Sequence, residues 1–353
     1  VKFPHIHAAG DHYDIGATIG RQGRDAFHRI VRHLDRYRAL GTFLGSDRLR
    51  EIEERSRAAY PGFMREIDGI ADGAEVDFWD VFLWNCRGDM PGDHGYTGAQ
   101  GCTDVLLPGN AKDGVPAIIG HNEDDAPGLD GHCFLVTVEP DDGLAFTSFC
   151  SPGQLPTHNF AVNAAGLVQT INHIRPKDQK AGIARHLTTR AVMNCRSLDE
   201  ARAVLERADR ASGFHHNMGL PGAAALWSVE APASGCSVIA VERPVAHANH
   251  LISAQFAGID QQVAPSSRDR QARADALLPA LGDSRDALAV LGDSAGTAWP
   301  ICRKDTSSGD TGYTLASAVF EIWPDRVEWR VYDDPGRAPV WEATQPAEPD
   351  GGA

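Results

Sequence analysis

The chain has 353 residues, 42% of them hydrophobic and 23% charged, and a formal net charge of -15. That composition supplies a large apolar core, in one large domain or two smaller ones, and its negative charge opposes a nucleic-acid or anionic-membrane surface. No run reaches about 18 apolar residues and the opening VKFPHIHAAGDHYDIG lacks an apolar signal segment, so a cytoplasmic protein is expected unless an export segment precedes Val1.

Taken in chain order, the first hundred residues predict mainly helix. In DIGATIGRQGRDAFHRIVRHLDRYRALG the apolar positions Ile15, Ile19, Phe27, Ile30, Val31 and Leu34 recur at the period of an amphipathic helix, although Gly16, Gly20 and Gly23 weaken its start. SDRLREIEERSRAAYPG follows as a second helix, with Ser46 or Asp47 as cap and Pro61 and Gly62 as stop, and FMREIDGIADGA and DFWDVFLWNCRGD supply two shorter ones. After Gly101 the texture changes. TDVLLPG, VPAIIGHNEDD, HCFLVTVEP and LAFTSFC read as short strands bounded by Gly, Pro and Asp, and NFAVNAAGLVQTINHI as two strands about a turn at 163–166. Helices return in RHLTTRAVMNC and in SLDEARAVLERAD, which Ser197 and Glu200 open as a capping box. AAALWSVEA and SVIAVERP add strands before a helical stretch at 266–291, and LASAVFEIWPDRVEWRVYD closes as a hairpin, with a polar tail from Pro335. The succession predicts an α+β protein of layered helices and antiparallel sheets.

The seven cysteines are odd in number and never spaced C-x-x-C, which argues against a disulfide framework or a structural zinc site. The histidine pairs His5/His7, His215/His216 and His247/His250 match no familiar ligand spacing, so neither metal nor cofactor is expected. Cys102 is different in its setting: it stands between Gly101 and Thr103, where helical sequence gives way to strand. A buried structural thiol is one reading and a nucleophile the other. From Cys102 the chain runs through a strand, a turn near Gly109 and Asn110, and a second strand ending in His121-Asn122-Glu123-Asp124-Asp125. An antiparallel hairpin returns the end of its second strand to the start of its first, so Asp124 is expected near Cys102.

GCT at 101–103 followed by GHNED at 120–124 resembles the acyl-coenzyme A:6-aminopenicillanate acyltransferase family of N-terminal-nucleophile enzymes, which includes carcinine and β-alanyl-dopamine hydrolases. HANHL at 247–251, WPICR at 299–303 and the entry GDHYDIGATIGRQ extend the likeness along nearly the whole chain. The resemblance implies a four-layer αββα sandwich with a mainly helical N-terminal segment, made as an inactive precursor. The cut would fall between Gly101 and Cys102, leaving residues 1–101 and 102–353 associated as a heterodimer in one folded unit. Cleavage would free an α-amino group on Cys102, with an unperturbed pKa of about 7.7–8.0, to act as the thiol's own general base. Glycine at 101 leaves the approach to its carbonyl open.

The family pattern also implies that Asn249 donates its amide to the oxyanion, that Asp124 holds the α-ammonium or orients the nucleophile, and that Arg303 is a cation lowering the thiol pKa. The plainer alternatives are a turn asparagine, a solvated acid and a surface ion pair. Thr103 either assists cleavage or simply begins a strand, and Asn122 is expected to stabilise the hairpin end. Glu123 and Asp125 are either solvated or bind a substrate ammonium group. The reaction expected is hydrolysis of a small N-acyl amine, a β-alanyl amide being one candidate. Acyl transfer to an amine, an uncleaved binding module and a histidine-based metallohydrolase are the alternatives.

Overall fold

The structure, a computed structural model, describes residues 2–92, 101–295, 298–305 and 312–347. The N-terminal part comprises strand β1 (His5–Gly10) and helices α1 (His12–Arg29), α2 (Asp35–Leu40), α3 (Asp47–Ala59), α4 (Pro61–Ala74) and α5 (Phe78–Asn85). From 101 onward come β2 (Thr103–Leu107), β3 (Ala117–Asp125), β4 (Phe134–Pro140), β5 (Phe146–Cys150), β6 (Phe160–Asn163) and β7 (Val168–His173). Next are α6 (Arg185–Val192), α7 (Leu198–Leu205), β8 (Phe214–Gly219), β9 (Trp227–Glu230), β10 (Ser237–Ala240) and β11 (Val245–His247). The chain continues through α8 (Pro265–Leu277), α9 (Ser284–Leu291), β12 (Tyr313–Ile322), β13 (Arg326–Tyr332) and β14 (Trp341–Pro346).

These strands form two sheets, one ordered β1-β4-β5-β6-β7-β8-β9-β10 and the other β11-β2-β3-β12-β13-β14. Every described pairing is antiparallel except β1 with β4. The sheets face one another: Thr170 on β7 donates to Asp104 on β2, Asn172 on β7 donates to the carbonyls of His247 and Ala248, and Phe160 on β6 meets Phe320 and Trp329 edge-on. Strand alternation sends Val105, Leu107 and Ile118 to the other face of the smaller sheet, where Ala274 of α8 and Ala287, Val290 and Leu291 of α9 cover them. The larger sheet takes its helices on its own side, with Gln169 on β7 bonded to the Thr189 carbonyl of α6 and α1 packed along β1. No helix among the described residues is long and apolar enough to cross a membrane.

Three departures from the sequence reading have local causes. The helix expected to run on from 14 stops at Arg29, and a short tight turn leads into α2. The glycines that weaken α1 serve its packing: Gly16 and Gly20 lie on the α4 backbone at Glu66 and Ile70, while Gly69 and Gly73 lie on α1 at Tyr13 and Ala17. A Cβ at any of the four would overlap the partner's main chain. The tail beyond Pro335 is not merely polar, because Trp341–Pro346 pairs with β13 as an edge strand of alternating exposure, anchored by Trp341 against Trp329 with centroids 4.3 Å apart.

Candidate active site

Cys102 precedes the first paired residue of the β2–β3 hairpin. Thr103 lies opposite Asn122, so Cys102 falls level with Glu123, and the two side chains share a face. Cys102 Sγ donates to Glu123 Oε2 at 3.2 Å. The same face continues along β3: His121 sets Nε2 3.4 Å from Glu123 Oε2 and Nδ1 2.8 Å from Asp104 Oδ1, which also receives the Thr170 hydroxyl at 2.8 Å. Asp125, two residues on, is ion-paired with buried Arg36, whose guanidinium lies over the Trp84 ring. Of the two expectations for Glu123 and Asp125, the solvated one fails, because both are buried and bonded to groups of the fold, and both line the small cavity at Cys102.

Asn122 and Asp124 occupy the opposite face of β3. Asn122 Nδ2 reaches the carbonyls of Leu291 and Ile301 and its Oδ1 accepts from Ser317, which fastens the hairpin end to α9 and to the 299–303 segment. Asp124 Oδ2 accepts from Arg303 Nη2 at 2.7 Å, and the same nitrogen lies 3.1 Å from the Gly101 carbonyl oxygen. Arg303 thus grips the carbonyl of the bond preceding Cys102.

A second guanidinium grips the next bond. Arg270 of α8 donates to the Cys102 carbonyl, to Thr103 Oγ1 at 2.7 Å and to Asn249 Oδ1 at 2.6 Å. Ser266, one helical turn earlier, accepts from both Arg270 and Arg303. Because an arginine only donates, the Asn249 amide is oriented with its oxygen toward Arg270 and its NH2 turned away. That nitrogen is buried and has no hydrogen-bond partner. Gly101 adopts φ +142°, and a Cβ there would overlap the Asn249 amide. Two independent constraints therefore require glycine at this position.

The electrostatics follow from burial. Desolvation pushes the Cys102 thiol up to about 12, Glu123's charge adds to the rise, and the contact with His121 opposes it. In the uncut chain burial thus places the thiol above rather than below its ordinary value, while Arg303 bonds Asp124 and the Gly101 carbonyl. Burial also raises Glu123, against His121. Burial alone would depress His121, but Asp104, with the contacts to Cys102 and Glu123, outweighs it and holds the ring well above the ordinary histidine range. Arg270 is lowered to about 10 by burial and by neighbouring Arg303.

Cys102, His121 and Glu123 also form a group whose donor atoms lie within 4.8 Å of one another, a spacing compatible with a metal ion, although the same atoms bond among themselves. The histidine pairs noted in the sequence have other duties: His215 stacks on His247, His247 bonds Glu230, and His250 bonds Ser267. All seven cysteines are free thiols. The structure thus brings together Gly101, Cys102, Thr103, Glu123, Asp124, Asn249 and Arg303, and sets Asp125 against Arg36 beside them.

Sequence reasoning missed Arg270, Ser266 and the His121–Asp104 pair. A signal existed for the first two. The buried positions of α8 (Ser266, Ser267, Arg270, Gln271 and Ala274) recur at helical spacing yet are almost all polar. A helix whose inward face is polar is aimed at a site rather than at a core.

Residues 110–335 match the family model described as acyl-coenzyme A:6-aminopenicillanic acid acyl-transferase. The chain is 25% identical over 358 residues to the beta-alanyl-dopamine/carcinine hydrolase of Drosophila melanogaster, covering 90% of each protein. It is 27% identical over 291 residues to the acyl-coenzyme A:6-aminopenicillanic-acid-acyltransferase 40 kDa form of Emericella nidulans, covering 77% of this chain and 76% of that one.

Proposed function

The chain belongs to the acyl-coenzyme A:6-aminopenicillanic acid acyl-transferase family, and on that premise we propose that it hydrolyses a small N-acyl amine through a thioester on Cys102, after cutting itself between Gly101 and Cys102. The observation that carries the reading is the buried, unpartnered NH2 of Asn249, a side chain whose amide packs against Gly101. A buried donor without a partner costs about 1–3 kcal/mol, and an oxyanion forming next to the thiol would satisfy it. Water is taken as the acyl acceptor because the relative covering 90% of the chain is named a hydrolase; an amine taking its place would make the enzyme an acyltransferase.

In this reading the two facing sheets with helices outside each are the αββα sandwich, residues 1–101 and 102–353 are the two retained fragments, and the partner is a small-molecule amide. Once Cys102 has a free amino group, Asp124 Oδ1, also buried and without a hydrogen-bond partner, is available to hold it as an ammonium. That positive charge next to the sulfur would pull the thiol pKa down from its value in the uncut chain. The neutral freed amine becomes that ammonium by taking the thiol proton, the Cys102 thiolate attacks the substrate carbonyl, Asn249 stabilises the oxyanion, and the ammonium passes its proton to the leaving amine.

The test is a denaturing mass spectrum. Self-cleaved protein gives fragments of roughly 11 and 27 kDa, taking about 110 Da per residue. Cys102→Ala should remain whole and inactive toward β-alanyl-histamine and matched neutral amides. Wild-type protein that stays whole and inert sinks the reading and leaves a binding module.

A further inference from the structure

The base used by the mature enzyme does not exist before cleavage, because in the continuous chain the Cys102 nitrogen is an amide. The thiol is then neutral, pushed up by burial, and a poor nucleophile. Something else must take its proton for the first cut. The carboxylate touching Sγ is Glu123, at 3.2 Å, and both groups are buried. Asp124 is less suited, since it lies on the other face of the strand and is tied to Arg303 at 2.7 Å. His121 is unsuited for a different reason: its two ring nitrogens face Asp104 at 2.8 Å and Glu123 at 3.4 Å. A ring between two carboxylates is held as the cation, a donor rather than a base.

Resting on the proposed self-cleavage, we propose that Glu123 is the base that starts it, with His121 and Asp104 behind it as positioning residues. Glu123 Oε2 takes the Sγ proton as sulfur bonds to the Gly101 carbonyl carbon. The carbonyl electron pair moves to oxygen, where Arg303 Nη2 already lies 3.1 Å away. The tetrahedral centre collapses by breaking its bond to the Cys102 nitrogen, and Glu123 returns the proton to that nitrogen, which becomes the α-amine. Gly101 is left on sulfur as a thioester. One water hydrolyses it to the Gly101 carboxylate and the Cys102 thiol. No redox step is involved, and the proton borrowed by Glu123 is restored within the shift. Glu123 thus serves the single turnover that makes the enzyme, and the freed amine serves those that follow.

The experiment follows cleavage of freshly synthesised full-length chain by intact mass, with and without hydroxylamine, which cuts a thioester once one has formed. Wild type should cleave in both conditions. Glu123→Gln should cleave at least about a hundredfold more slowly, the lower range for loss of a general base, and hydroxylamine should not rescue it. Glu123→Asp keeps a carboxylate one methylene further away and should fall between the two, which separates loss of the base from loss of the fold. Glu123→Gln cleaving within threefold of wild type overturns the assignment. So does its rescue by hydroxylamine, which would place Glu123 after the acyl shift, or equal rates for the Asp and Gln variants. Wild-type chain that never cleaves overturns the self-cleavage reading itself, an outcome distinct from all of these.

Discussion

Two clusters of buried charge lie inside this fold, and they are finished to different degrees. In the first, Glu66 of α4 receives Arg190 of α6 through Nε and Nη2, with His12 Nδ1 2.7 Å from Oε1, while the Arg190 guanidinium lies against the Phe63 and Phe146 rings at 4.6 and 4.5 Å. Both carboxylate oxygens and the guanidinium are bonded. In the second, around Cys102, Asn249 Nδ2, Asp124 Oδ1 and Asp104 Oδ2 are buried with no hydrogen-bond partner. Saturation is what a cluster needs in order to hold helices to a sheet. Leaving a donor and an acceptor open is what a site needs in order to stabilise charge that appears only during reaction.

The contrast breaks if substitutions in the two clusters have the same consequences. The largest effect expected is at the open cluster: Asn249→Ala should lower turnover by about 100- to 1000-fold in fully cleaved protein, measured as initial rates per folded molecule, beyond the stability lost by removing the acceptor of Arg270. A loss below tenfold would make Asn249 structural. At the closed cluster the signs exchange. Glu66→Ala strands Arg190 and should cost about 3–5 kcal/mol of stability by denaturant titration, while activity per folded molecule stays within twofold.

The pH dependence of stability sharpens the same comparison. Burial would raise Glu66, but Arg190 and His12 outweigh it and its pKa is lowered, so the stability it contributes is present above its unfolded value of 4.5 and is lost as pH falls through the folded value. Glu123 is raised instead, so its burial destabilises the fold increasingly as pH rises from 4.5 through its folded value. Glu66→Gln should therefore be less stable than wild type at pH 7, and Glu123→Gln equally or more stable in the uncut chain. Opposite results in denaturant titrations from pH 4 to 8 would end the distinction. The smallest effect belongs to neither cluster: Glu51→Ala removes a pair with Arg55 that is half exposed on α3 and should change stability by only about 0.3–0.5 kcal/mol.

Much of this was legible in the sequence, and what was not has identifiable causes. The hairpin that returns 120–125 to Cys102 follows from strand, turn and strand, but its parity does not. The connection passes through a short helical turn and an isolated bridge between Asn110 and Val115, and nothing in its length says whether an odd or an even residue will meet Cys102. Asp124 was the expected neighbour, and the register makes Glu123 the one that touches sulfur. Asn249 and Arg303 were found through short motifs, because their positions depend on strand order and long connections that no local pattern encodes. Arg270 was missed because the buried face of α8 is almost wholly polar and carries no apolar stripe to mark which side faces inward. β1 was missed because HIHAAG, half exposed at a sheet edge, carries too few apolar residues to announce a strand.

That edge strand has a consequence for the life history of the protein. β1 is laid parallel to β4 through register pairs from His5–Leu135 to Gly10–Pro140, so the segment before Cys102 supplies a border strand to a sheet built from the segment after it. While the backbone is continuous, the two meet by closing a loop, at a cost that does not depend on protein concentration. Were the bond at 101–102 cut, reassembly after unfolding would become a second-order encounter between two polypeptides, each exposing apolar surface and open strand edges. Refolding yield would then fall on dilution and be lost to aggregation on concentration. The lifetime of the native particle would be governed by the rate of its first unfolding, because there is no efficient way back.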